Sequence, residues 1–311
     1  MNNPKKIIFT VIALAFIAIV FVLNQDKMPK DNRKMVAVST FSLYDITKHI
    51  AGESVQVINI IPFGVDVHSF EPTPKLMAKI EKSALVIYSG AGLEPWTRGY
   101  AFKNRVINMS QHVRIRELDA NEHEHHMHHD EQCNHSKIDP HYWLDFANMA
   151  KATNEITKEL IKLEPKNKEL YTKNKEKYIT MLTSLNDAFN TSLKSCKLDT
   201  IIVNHNAFGY LSHRFGFHVA SLSGFIPEAQ PSAKDMSRII KVIQKHDVPV
   251  VFAESFVSAK AMQSVADEAK VKVDVLQPLG NITADEAKKN LTYEDIMKEN
   301  LQKIHKALMC R

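Results

Sequence analysis

The sequence predicts an α/β protein of two βαβ-type lobes with parallel sheets, bridged by one long rigid helix. Three observations carry this expectation. Short apolar runs alternate with stretches of helical spacing, the order that builds parallel βαβ units. The alternation occurs on both sides of Lys166–Leu193, about 28 residues with few glycines or prolines to bend them, a rod of about 40 Å at 1.5 Å per residue. Histidines stand where the chain leaves an apolar run, and open α/β sheets gather ligands outside the carboxyl ends of their strands. A chain of 311 residues is too long for one small core and suits two lobes.

Met35–Thr40 reads as the first strand and Ser42–Ala51 as the helix after it. Val55–Ile61 is a second strand, continued by a loop to His68. Thr73 can cap a helix that Pro74 opens, because proline fits the first helical turn. Ser83–Tyr88 is a further strand. Ala147–Leu163 and Lys166–Leu193 are helices separated at Pro165; Leu170, Tyr178, Met181, Leu182, Leu185, Phe189 and Leu193 recur near helical spacing in the second. Beyond it come a strand at Thr200–Asn204, a helix through Leu211 and a capped helix start at Ser232–Asp235. A strand at Val248–Ala253, a helix at Ala259–Ala269 and a strand at Val271–Leu276 complete the second lobe. The expected division is residues 1–34 as signal or anchor and linker, 35–163 as the first lobe, 164–195 as the linking helix and 196–311 as the second lobe.

Lys5 and Lys6 precede Ile7–Leu23, an almost wholly apolar run without charge, the layout of an export signal. The run is long for a signal peptide and slightly short for a membrane span, and no small-x-small cleavage site follows it. Cleavage and retention as an N-terminal anchor are both open. No cysteine lies near it, so no lipid-modified N-terminus is expected. Lysines ahead of the run hold that end in the cytoplasm and send the rest out, to a periplasmic or cell-envelope location. The net charge of +5 is spread along the chain, with no arginine-rich block or aromatic-interleaved basic patch, which excludes nucleic acid as a partner. The three cysteines form no CxxC pair; Cys196 and Cys310 could pair in an oxidising envelope, with unpaired thiols the simpler expectation.

The candidate chemistry lies in histidines. His68, His141 and His205 stand in three separate segments, and three imidazoles leave an open tetrahedral zinc site. Residues 121–135 carry His123, His125, His126, His128, His129 and His135, with Cys133 among them, a low-complexity metal-binding tract suited to weak, exchangeable zinc capture. Glu254, Asp139 and Asp145 are candidates for orienting imidazoles from outside; capping for Asp145 and turn formation for Asp139 are equal alternatives. His49, His112, His213, His218, His246 and His305 attract no role.

Val65-Asp-Val-His68-Ser-Phe-Glu-Pro-Thr-Pro74, Asp139-Pro-His141-Tyr-Trp-Leu-Asp145 and His205-Asn-Ala-Phe-Gly-Tyr210 resemble the three ligand motifs of the metal-specific solute-binding proteins of bacterial ABC uptake transporters. Ile226–Ala233, Val251–Glu254 and Leu276–Gly280 resemble further segments of that family, in the same order, from about Val36 to the C-terminus. The resemblance implies two lobes bridged by a long helix, a metal ion between them, and a membrane permease as partner. It implies no organic substrate, and a monomer is expected. His205 and the His-rich tract are features of its zinc members, so Zn2+ is the expected ion. Family members place a carboxylate where Gln277 or Val67 stands here. Water, the Gln277 oxygen or a histidine from the tract then completes the sphere, water being favoured because three imidazoles plus water is an established zinc geometry. A stiff linking helix implies small tilts and loop rearrangement on binding rather than wide closure.

Three alternatives remain at this level. A zinc hydrolase would use three histidines and an activated water, but no HExxH helix or evident general base is present. Manganese or ferrous iron would keep the fold and change the ion. An adhesion role is the last.

Overall fold

The computed structural model describes residues 32–118, 138–225, 230–255 and 259–311. The apolar N-terminal run, the six tract histidines with Cys133, and residues 226–229 lie outside them. Among the described residues no helix is long and apolar enough to cross a membrane.

The first lobe alternates β1 (Met35–Val38), α1 (Phe41–Ala51), β2 (Gln56–Asn59), α2 (Pro74–Glu81), β3 (Leu85–Tyr88) and β4 (Arg105–Asn108). Its strands form one parallel sheet in the order β2-β1-β3-β4. A short antiparallel ribbon of β5 (Arg116–Glu117) and β6 (Ile138–Asp139) follows, then α3 (Phe146–Leu163) and the long α4 (Lys168–Ser192). The second lobe has β7 (Thr200–Val203), α5 (Gly209–Phe215), β8 (His218–Ser221), α6 (Ala233–Lys245), β9 (Val250–Ala253), α7 (Lys260–Ala269) and β10 (Lys272–Val275). Its parallel sheet has the order β10-β9-β7-β8. The chain ends in α8 (Ala284–Lys288) and α9 (Tyr293–Ala307). In each sheet the first strand lies between the second and the third. The winding therefore reverses between β1 and β3 and between β7 and β9, and ligand crevices open at such points.

Local chemistry sets the helix boundaries. The Thr73 hydroxyl accepts from Leu76 N ahead of Pro74, as its spacing predicts. Ser232 and Asp235 make a reciprocal capping box on α6, and Thr292 and Asp295 make another on α9. Pro165 ends α3 and starts a single 3-10 turn, Pro165–Asn167, so α4 begins two residues later than its pattern suggests. At 25 residues it is about 38 Å long. It buries Tyr171, Tyr178, Leu182, Leu185 and Phe189 and packs on α1, α3 and α9. Leu170, expected in that stripe, is exposed; Tyr171 takes its place. The sequence reading placed no element at β4, β8 or α9.

One apolar core runs from the first sheet through α3, α4 and α9 to one face of the second sheet. A smaller core fills the space beneath α6 and α7. The two lobes therefore share much of their interior.

Cys196 and Cys310 form a disulfide, which corrects the expectation of free thiols. The cause is backbone pairing that a sequence separation of 114 conceals. The two residues form an antiparallel bridge, flanked by Leu198 N–H donating to Leu308 O at 3.0 Å and Arg311 N–H to Ser195 O at 3.0 Å.

Candidate metal centre

Three strand ends and one turn deliver the site. His68 lies on the loop that leaves β2, His141 two residues past β6 beyond Pro140, and His205 two residues past β7. Glu254 is the first residue after β9, the neighbour of β7 at the second lobe's reversal point. His141 and His205 are buried and His68 is partly exposed.

The rings meet through their Nε2 atoms. His141 Nε2 lies 3.4 Å from His68 Nε2 and 3.3 Å from His205 Nε2. One nitrogen from each ring falls within 4.8 Å of the other two. Zinc–imidazole bonds of about 2.0–2.1 Å in a tetrahedron set nitrogen–nitrogen separations of about 3.3–3.4 Å, so the observed spacing is that of one ion's ligands.

Carboxylates fix the tautomers. Asp139 Oδ1 accepts from His141 Nδ1 at 2.9 Å and from the His141 backbone N–H at 3.0 Å. Glu254 Oε1 accepts from His205 Nδ1 at 2.6 Å and from the His205 backbone N–H at 3.1 Å. With the protons held on Nδ1, both Nε2 lone pairs are left for the crevice. Two such lone pairs 3.3 Å apart repel, and a proton or a metal ion between them turns that contact favourable.

Burial, then the charges of neighbouring histidines, hold the pKa values of His68 and His141 well below that of free imidazole, which keeps both rings neutral as ligands must be. Burial also opposes charging His205, but the Glu254 carboxylate prevails and its pKa is raised. Trp143, Pro278, Gly280, Asn281, Asp66 and Val67 complete the crevice, whose volume is about 10 Å³. A Cβ at Gly280 would stand 3.3 Å from Val67 and 3.4 Å from Trp143, so these neighbours would have to yield by a few tenths of an ångström.

Of the expected outer carboxylates, Asp139 and Glu254 reach a ring and Asp145 does not. Asp145 accepts from Asn148 N–H at 2.8 Å, capping α3, and pairs with Arg214 at 3.2 Å. Gln277 is buried but does not line the crevice; its Nε2 donates to Glu286 Oε2 at 3.1 Å. The sequence reading missed Asp66, whose Oδ1 accepts the backbone N–H of His68 at 2.7 Å. The signal was present: Asp66-Val67-His68 repeats the Asp-x-His spacing of Asp139-Pro140-His141.

The family described as zinc-uptake complex component A, periplasmic (ZnuA), matches residues 36–307. The chain belongs to this family. A ZnuA relative, the high-affinity zinc uptake system protein of Bacillus subtilis (strain 168), is 32% identical over 91% of this chain and 90% of its own length. The zinc-binding lipoprotein AdcA of Streptococcus pneumoniae (strain ATCC BAA-255 / R6) is 29% identical over 96% of this chain, which spans 60% of that protein. The crystal structure of the Zn(II)-bound ZnuA-like domain of S. pneumoniae AdcA superposes with a TM-score of 0.74 at 26% identity, covering 89% of this chain and 99% of that domain. The laminin-binding protein Lmb of S. agalactiae, described as having adhesin and metal transporting activity, superposes at 0.78 with 28% identity, covering 88% and 99%. The ZnuA fold expected from strand alternation and the long helix is thereby established, with Zn2+ as the ion the family takes up.

Proposed function

We propose that this chain captures Zn2+ between His68, His141 and His205 outside the cytoplasm and hands it to the membrane permease of an ABC transporter. The observation that carries the reading is the Nε2 triangle, spaced for one tetrahedral ion, with two Nδ1 atoms tied to buried carboxylates. Water completes the sphere, a choice supported by the absence of Gln277 from the crevice lining; its Nε2 is held by Glu286 while its Oε1 has no hydrogen-bond partner among the described residues. The tract histidines, His123 to His135, feed zinc to that site. An exported location is supported by the Cys196–Cys310 disulfide, which persists in oxidising compartments, and by the apolar Ile7–Leu23 run, cleaved or kept as an anchor. The protein acts as a monomer, divided at 35–163, 164–195 and 196–311, with α9 returning to pack on α4.

The hydrolase alternative is disfavoured by size. The space beside the rings, about 10 Å³, is that of one ion or water and offers no preformed pocket for an organic substrate. Three nitrogen donors favour zinc over manganese. The test is zinc titration against a chromophoric chelator. The wild-type chain is expected to hold one equivalent against the chelator and His141→Ala to lose it; retention in His141→Ala would defeat the three-histidine site.

A further inference from the structure

A divalent ion held by three neutral imidazoles brings two positive charges beside two buried rings, and in this chain neither residue 67 nor residue 277 is a carboxylate. We propose that Asp66 supplies the compensating charge, accepting a hydrogen bond from the water that completes the zinc sphere; the inference rests on zinc capture at the three histidines.

Three observations carry it. The first is position: Asp66 lines the same crevice as His68, His141 and His205, and its charge acts on His205 across it. The second is attachment. Asp66 Oδ1 accepts the His68 backbone N–H at 2.7 Å, so the turn that presents the ring also anchors the carboxylate beside it. Asp139 occupies the same turn ahead of His141, its Oδ1 on the backbone N–H at 3.0 Å. One Asp-x-His device is used twice, each time delivering an imidazole and a carboxylate together.

The third is charge balance. Asp139 and Glu254 each bring one negative charge against a ring. Arg116, with Nη1 3.9 Å from Asp139 Oδ2, returns one positive charge. With a divalent ion in place, these groups leave one positive charge uncompensated, and Asp66 removes it. The atoms that converge within 4.8 Å are the three imidazole nitrogens, without an Asp66 oxygen. Asp66 therefore acts one layer out, where it orients the fourth ligand and is a positioning residue. Partners of that kind commonly change metal affinity by about 10- to 100-fold.

Asp66→Asn isolates the charge, because the amide oxygen can still accept the His68 N–H while the negative charge is lost. The full chain is titrated with zinc against a chromophoric chelator, and the zinc-free melting temperature is measured beside it. The expected result is zinc affinity weakened about 10- to 100-fold with the zinc-free melting temperature unchanged. Asp66→Glu, which keeps the charge on a longer arm, is expected to lose less. Wild-type affinity in Asp66→Asn overturns the proposal. So does a loss of affinity equal in both variants, or one accompanied by a fall in the zinc-free melting temperature, since either assigns Asp66 to the turn alone. The His141→Ala chain separates the two ideas: if it still holds zinc tightly, the three-histidine reading fails; if it does not, the Asp66→Asn result speaks to Asp66 alone.

Discussion

At the scale of single residues, the proposed ligand role of His205 rests on Glu254. Its carboxylate holds the proton on Nδ1 and leaves Nε2 bare, 3.3 Å from His141 Nε2. A glutamine there can turn its NH2 toward Nδ1, which drives the proton to Nε2 and blocks the ligand atom. Glu254→Gln is expected to weaken zinc binding about 10- to 100-fold, read by chelator competition; unchanged affinity would mean that the carboxylate does not set the tautomer. The three converging histidines were legible because each lies at the carboxyl end of an apolar run or in a motif resembling a known family. The carboxylates were legible only as candidates. Asp139 and Asp145 flank the same motif, and sequence cannot say which one turns inward. The structure separates them through the α3 cap, which claims Asp145, and the two-residue reach from Asp139 back to the His141 ring.

At the scale of elements, sequence legibility depended on apolar length. β7, Thr-Ile-Ile-Val, is buried throughout and reads plainly as a strand. β8, His-Val-Ala-Ser, is half polar and draws its place from pairing with β7 rather than from its own composition. α9 carried a legible signal, the Thr292/Asp295 capping box followed by Ile296, Met297, Leu301 and Ile304. Its docking was not legible. Asp45 on α1 accepts from the Tyr178 hydroxyl on α4 at 2.7 Å and from Tyr293 N–H at the start of α9 at 3.2 Å, joining three helices. His49, which attracted no role in the sequence, stands over that junction with Nδ1 3.3 Å from Asp45 Oδ2, beside a cavity of about 280 Å³ also lined by Lys177 and Glu294. The Asp45 hydrogen bond raises its pKa from 6.5 to about 9. A raised folded pKa means that the charged ring stabilises the fold fully below pH 6.5 and that this contribution fades as pH climbs through about 9. His49→Gln is expected to melt below wild type at pH 6, with the gap closing by about pH 10. A gap that widened with pH would place the ring's contribution in packing instead.

At the scale of the whole molecule, the lobes are held together close to the crevice as well as along α4. The segment after β10 reaches into the first lobe: Gly280 O accepts from Phe41 N–H at 2.9 Å, Asn281 Nδ2 donates to Pro62 O at 2.7 Å, and Trp143 Nε1–H donates to Pro278 O at 2.7 Å. These ties and the shared core resist wide opening, and of the three converging histidines His68 alone is partly exposed. The second lobe has a further constraint that the sequence concealed. The disulfide joins its first residue to its last but one and closes a loop with a sequence separation of 114 around its whole sheet. In the chain-entropy account, a cross-link of that span stabilises by about 4–5 kcal/mol, by restricting the unfolded chain more than the folded one. Cys310→Ser is therefore expected to lower the melting temperature of the zinc-free protein by several degrees, and reductant to do the same to wild type but not to the variant. Neither cysteine lines the crevice, so the added zinc-induced rise in melting temperature should survive in Cys310→Ser, because it is set by the ratio of free zinc to its dissociation constant. A variant that lost both stability and the zinc-induced rise would show that the cross-link also holds the β7 and β9 ends in register for His205 and Glu254.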